Sequence, residues 1–298
     1  MNFKTPFAFN PQSGFAFENH TAHRKATELN RQDQKEFNTP VQLDFSVSKR
    51  SAKQIGVLSA KGGSGASTLA LNLSLALSCL GQKTTLIDAN LQQPDLVVYL
   101  GKQAEHSMLE FFARSKNYDE TVFQACSLPL QKTAKAADCS LLSGHAGGED
   151  STEFDLSELA AASAALVPHN DCLVFDLPKN LDRHLVTLMD RLDCIALVFE
   201  PTLVSVAAAR RWLKIFSELS YPRSKYMLVL NRAGARVKHI ERDLPELIAA
   251  SLQRLPNAYQ LMEDCSNCGQ PAIQKNPRDK YSIAVMEIAK SLTKAGRS

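Results

Sequence analysis

One stretch constrains this chain more than any other. Ile55-Gly-Val-Leu-Ser59 runs into Ala60-Lys61-Gly62-Gly63-Ser64-Gly65-Ala66-Ser67-Thr68 and then into an apolar segment of helical period. A β-branched run, a glycine loop and a helix in that order form the context of a phosphate-binding loop. The glycines let the backbone turn tightly, so that successive N–H groups converge on phosphate oxygens while the helix N-terminus adds its positive end. Gly62, Gly63, Ser64, Gly65, Ala66, Ser67 and Thr68 are therefore candidate cofactor-binding residues. Ser67, at the start of the helix, stands where a hydroxyl would ligate Mg2+. The usual spacing, G-x-x-x-x-G-K-[ST], would put Gly at 60 and Lys at 66, and both are alanine here. The loop keeps its phosphate-binding backbone and lacks the cation that stabilises a transferred phosphoryl group, so hydrolysis should suffer more than binding.

The chain beyond this loop repeats the same alternation. Strands are expected at 55–59, 84–88, 140–142, 172–176, 194–199, 226–231 and 251–255, with helices at 68–80, 108–114, 156–166, 181–191, 204–219, 240–250 and 280–294. Continuous apolar strands separated by helices predict an α/β fold: a mainly parallel, doubly wound sheet of about seven strands with helices on both faces. Such sheets bind ligands at the carboxyl ends of their strands. Residues 1–52 differ. They are rich in Asn, Gln, Thr and charge, carry Pro6, Pro11 and Pro40, and show no sustained period, which predicts a disordered polar tail before a domain over 53–298. Phe7-Ala8-Phe9 and Phe15-Ala16-Phe17 give that tail aromatic anchors of the kind a partner's groove takes.

The 298 residues carry 34 Lys plus Arg against 31 Asp plus Glu. The excess of three lies within residues 1–53, where eight basic and five acidic side chains fall, so the rest is neutral overall. A neutral domain argues against nucleic acid, and Arg210-Arg211-Trp212-Lys214 reads as a solvated helix face. The seven cysteines lie mostly in apolar runs and suit a reducing compartment. No stretch has the length of a signal peptide or spanning helix, and the last helix lacks a bulky aromatic and basic tip, so a cytoplasmic protein without direct membrane insertion is expected.

Lys61-Gly-Gly-Ser-Gly-Ala-Ser-Thr68 resembles the deviant Walker A loop of the MinD/ParA superfamily, K-G-G-x-G-K-[ST]. Val174-Phe-Asp-Leu-Pro-Lys-Asn-Leu-Asp-Arg-His184, Val198-Phe-Glu-Pro-Thr-Leu203 with Ala208-Ala-Arg-Arg211, and Leu230-Asn-Arg-Ala-Gly234 extend the likeness over about 54–295. Together they look most like the CpaE/TadZ branch of Flp (Tad) pilus assembly proteins. The resemblance implies a P-loop NTPase of the nucleotide-sandwich kind that binds ATP and Mg2+ as a homodimer, with Lys61 as the signature lysine reaching the partner subunit's phosphates. It implies that Asp176 holds magnesium through water, that Asp88 is the first acidic position of switch I, and that Asn231, followed by Arg232, meets adenine. Asn90 stands at the second acidic position, which orients the attacking water. An amide there can hold water by hydrogen bonds but can neither act as a base nor add negative charge. With positions 66 and 90 both altered, Lys61, Asp88 and Asn90 make a catalytic set of weak or absent turnover, suited to a positional or assembly factor. Its protein partners would belong to a secretion or pilus machine at the inner membrane face or a cell pole, met in part through the tail. A tail replaces the receiver-like domain common in that branch.

Two alternatives accompany this reading. One is an active MinD/FlhG-like ATPase placing a polar or flagellar structure. The other is an iron–sulfur carrier of the Mrp type, suggested by Cys265-Ser-Asn-Cys268, although in those carriers the pair closely follows the asparagine strand and here it lies more than thirty residues beyond Asn231. The histidines show no ligand spacing that would support a zinc hydrolase.

Overall fold

The computed structural model describes residues 51–91, 93–102, 106–114, 118–133, 136–144, 155–234 and 252–294. The tail up to residue 50 and the helix expected at 240–250 lie outside the described residues. Ala52, given to the tail by composition, is buried in the core.

The central strand is β1 (Lys53–Ser59). The chain then forms α1 (Ala66–Cys79), β2 (Thr84–Asp88), α2 (Asp95–Tyr99), α3 (Met108–Arg114), α4 (Glu120–Cys126), β3 (Ser127–Thr133) and β4 (Ala136–Leu142). After them come α5 (Leu156–Ala162), β5 (Cys172–Leu177), α6 (Arg183–Arg191), β6 (Cys194–Phe199), α7 (Leu203–Glu218), β7 (Tyr226–Ala233), β8 (Leu252–Pro256), α8 (Tyr259–Cys268), α9 (Ala272–Lys275) and α10 (Lys280–Lys294). One eight-stranded sheet results, in the order β3-β4-β2-β5-β1-β6-β7-β8. It has one strand more than the periodicity predicts. The extra strand, β3, is antiparallel to β4 and carries Pro129 within a register shift, which suits an edge position, where a missing N–H costs no inner ladder bond. The helix expected over 156–166 is α-helical only to Ala162 and continues as a 3-10 turn to His169, with Pro168 inside it.

Alternation along the parallel strands divides the core into two layers. Leu173, Phe175 and Leu177 pack with Leu58, Leu197, Phe111 and Phe216 on one face. Cys172 and Val174 pack with Ile55, Val57, Leu86 and the leucines of α1 on the other. Helix α1 is buried around most of its circumference, because it is pressed between the sheet and α10. Its buried polar groups are internally satisfied: Ser74 Oγ donates to the carbonyl of Ala70 at 2.8 Å, and Asn72 accepts from the amide of Ile273 at 3.0 Å. Since β1 has β5 on one side and β6 on the other, the crevice at its carboxyl end lies where the connections part to opposite sides of the sheet.

Gly56 tests how tightly β1 is packed. A Cβ there would lie 2.5 Å from Leu192 Cδ1 and 2.7 Å from Leu177 Cδ1, closer than either side chain tolerates. Elsewhere Gly→Ala often stabilises through the unfolded chain. Here Gly56→Ala should destabilise by about 1–3 kcal/mol through overpacking, read as a lower urea midpoint with unchanged slope. A midpoint equal to or above the parent's would contradict this packing.

Candidate functional site

The loop between β1 and α1 takes its shape from two glycines in the left-handed region, Gly63 at φ 82° and Gly65 at φ 91°. The Lys61 carbonyl is turned inward, accepting from Ser64 Oγ at 2.9 Å and also from Ser59 Oγ. The amides of Gly62, Gly63 and Gly65 find no backbone acceptor among the described residues, and the first turn of α1 has no side-chain cap. Those donors border an open cleft of about 530 Å³, lined by Gly62, Gly63, Ser67, Asp88, Asp176 and Lys179 among others. The bend is therefore not closed by a neighbouring side chain. A second hollow of about 330 Å³ shares Gly65, Thr68 and Arg232 with the first and extends past Asn231 to Asn257 and Tyr259.

Sheet register brings the two strand-end carboxylates together. Asp88 and Asp176 are directly paired across β2 and β5, and alternation turns both toward the face that holds α1 and Ser67. Both are buried, Asp88 completely and Asp176 to 5% exposure. Burial pushes the Asp88 carboxyl up to about 7, against hydrogen bonds from the amides of Leu96 and Asn90. Burial, and then the charge of Asp88, push Asp176 up to about 8, with the facing Ser67 hydroxyl working the other way. A hydroxyl and two carboxylates are hard oxygen donors, the set that suits Mg2+.

The remaining expected residues fall around the same cleft. Asn90 donates from Nδ2 to the carbonyl of Gln93 at 2.6 Å, so its amide is held as part of a turn at the rim. Asn231 donates to the carbonyl of Ser64 at 2.9 Å and its Oδ1 accepts from the amide of Arg232, so in this state it clamps the loop. A Cβ on Gly65 would meet Asn231 Nδ2 at 2.4 Å. Cys265 and Cys268 lie apart from this group, one buried and the other exposed on α8.

Sequence reasoning missed Glu200. It sits just beyond β6, is 5% exposed, and takes Lys61 Nζ at 3.1 Å on one oxygen and the Arg232 guanidinium on the other. Lys61, the expected signature lysine, is thus held by a buried carboxylate of the same chain. A signal existed: an acidic residue between an entirely apolar strand and Pro201, at the sheet edge where ligands bind.

The raised carboxyls have a stability consequence. An unfolded aspartate titrates near 4, so between that pH and about 8 the folded protein binds more protons at Asp88 and Asp176 than the unfolded chain. Their contribution is fully present at low pH and is lost as pH rises through 7 to 8. Asp176→Asn should flatten that decline and raise the melting temperature of nucleotide-free protein at pH 8.5, by roughly 2–4 °C for each kcal/mol of repulsion removed. Melts followed by circular dichroism from pH 5.5 to 8.5 check this, and parallel profiles for parent and variant would refute it.

Comparisons with known proteins meet the same features. The family described as ParA, NUBPL iron-transfer P-loop NTPase, matches residues 50–128. The septum site-determining protein MinD of Thermotoga maritima is 25% identical over 183 residues, 60% of this chain and 63% of that protein, so the chain spans less than two thirds of that relative's length. The iron–sulfur cluster carrier protein of Aquifex aeolicus is 24% identical over 258 residues, 82% of this chain and 68% of the carrier. Among solved structures, MinD of Pyrococcus horikoshii complexed with Mg-ADP superimposes with a TM-score of 0.67 at 20% identity, covering 83% of this chain and 98% of that one. Over residues 50–128 the chain thus matches the ParA family of P-loop NTPases, and its fold is that of MinD.

Proposed function

We propose that this protein is an ATP-binding, dimerising positional or assembly factor that turns ATP over slowly or not at all. The observation that carries the reading is the retained cleft with its two alterations: the backbone cradle and Asp88/Asp176 pair are intact, while positions 66 and 90 hold Ala and Asn. In this reading the loop amides and the start of α1 bind the phosphates. Ser67, Asp88 and Asp176 would hold Mg2+, whose charge would offset that of the carboxylate pair. The base occupies the hollow beside Asn231, Arg232 and Tyr259. Lys61 leaves Glu200 to meet the partner subunit's phosphates, and Glu200 keeps Arg232. The Val174–His184 and Val198–Leu203 motifs support the finer assignment, a Tad-type pilus or similar envelope machine. Contacts with that machine fall to the domain's dimer surface or to the segment that precedes Ala52, which we treat as separate from the domain. No helix among the described residues is long and apolar enough to cross a membrane, and our reading is of a cytoplasmic protein recruited by partner proteins.

A second reading, iron–sulfur transfer, is favoured by the matched family's description and by the carrier relative. It would use Cys265-x-x-Cys268. Anaerobic reconstitution separates the two, since protein that stays colourless and iron-free removes the carrier.

Addition of ATP and Mg2+ should double the solution mass from 32.8 kDa as measured by light scattering. Gly65→Val should prevent this, because a side chain there strikes Asn231 at a positive φ. A mass unchanged by ATP would remove nucleotide-dependent dimerisation. Steady-state hydrolysis should be near background, and Ala66→Lys with Asn90→Asp should raise it by at least about tenfold. Robust parental turnover abolished by Lys61→Ala would instead establish the active MinD-like ATPase.

A further inference from the structure

Two cations, Lys179 and Arg232, line the cleft, and Lys61 lies in the loop beside it. Lys61 and Arg232 both pair with Glu200. Lys179, in the loop after β5, is the third. It has no ion-pair partner among the described residues, is exposed, and lines the cleft with Gly62, Gly63, Asp88 and Asp176. Its Nζ lies 3.4 Å from the position a Cβ on Gly62 would take, which puts the ammonium group against the loop backbone itself.

The two hollows give a bound nucleotide a direction. The smaller one, suited to a base, adjoins Gly65 and Thr68 at the start of α1, whereas Gly62 and the carboxylate pair lie toward the other end. A phosphate chain starting at Gly65 therefore ends near Gly62, where Lys179 stands. That is also the end left without a loop cation by Ala66.

We propose that Lys179 supplies the missing cation from the same subunit, its ammonium group binding the terminal phosphate oxygens of a nucleoside triphosphate. The proposal rests on the reading of this cleft as a nucleotide site and adds a residue that discriminates triphosphate from diphosphate. A charge-assisted contact of this kind, made to the last phosphate alone, changes affinity for one nucleotide and not the other.

The test is calorimetric titration of the full chain with Mg2+ and either AMPPNP or ADP. Lys179→Ala should weaken AMPPNP about tenfold and leave ADP within about twofold. Lys179→Arg should retain AMPPNP binding, and adding Ala66→Lys to Lys179→Ala should restore it. Lys179 is exposed, so these variants should keep the parental circular dichroism spectrum. Unchanged AMPPNP affinity in Lys179→Ala, or equal losses for both nucleotides, overturns the proposal while the nucleotide site stands. A parent chain that binds neither nucleotide at millimolar concentration overturns the site and the proposal together.

Discussion

The immobility of α1 underlies the geometry of the whole carboxyl edge. Its leucines meet the sheet on one side and α10 on the other, so the helix can neither rotate nor slide without exposing apolar surface. Its first turn is consequently fixed relative to β1, β2 and β5. The left-handed glycines then have a short and constant gap to span, and the loop between them keeps its amides facing an open cleft. An anion site of this kind is built by packing at a distance from the anion.

The same rigidity explains why a pair of carboxylates can be kept side by side away from water. Asp88 and Asp176 disfavour each other's charge, and neither meets a lysine or arginine within ion-pair distance among the described residues. Such an arrangement costs the nucleotide-free protein stability, in the way that ligand sites commonly do. The cations of the cleft are placed otherwise: Glu200 draws Lys61 and Arg232 toward the end of β6, away from the carboxylate pair. Carboxyl groups thus collect at the strand ends, and positive charge is held at the rim.

Much of this fold was legible because parallel strands buried on both faces read as continuous apolar runs; Thr84–Asp88, Cys194–Phe199 and the last helix fall within the bounds expected for them. Strand β3 was not legible, since Ser127-Leu-Pro-Leu-Gln-Lys-Thr133 mixes polar residues with a proline that only an edge tolerates. Helix α8 was hidden for a related reason: Cys265 is its one fully buried side chain, so no apolar stripe marks it. At the site, the loop could be read from its spacing along the chain, whereas Asp88 and Asp176 were named through the resemblance of their motifs to the MinD/ParA superfamily. Glu200 could be found in neither way, because its meaning comes from two cations, one 139 residues before it and the other 32 after it, brought together by the strand order β1-β6-β7. Asn231 lines the smaller hollow, and its hydrogen bond to Ser64 is a tertiary fact with no local signature.

The proposed position of the phosphate cation would have a consequence for switching. A lysine on the loop itself is anchored by α1 and stays in place whichever nucleotide is bound. A lysine at 179 lies on the connection between β5 and α6, where Asp182 caps the following helix by accepting from the amide of Leu185. Contact between Lys179 and a last phosphate would therefore tie the course of that connection to the presence of the phosphate. Loss of the phosphate would release an exposed segment bearing Leu181, which is already 46% accessible. Two states can then differ at the surface without any change in the core, because the element that senses the phosphate and the element that fixes the cradle are different parts of the chain. Slow hydrolysis of the kind proposed would lengthen the life of the triphosphate state, and in a positioning factor such persistence would favour assembly over turnover.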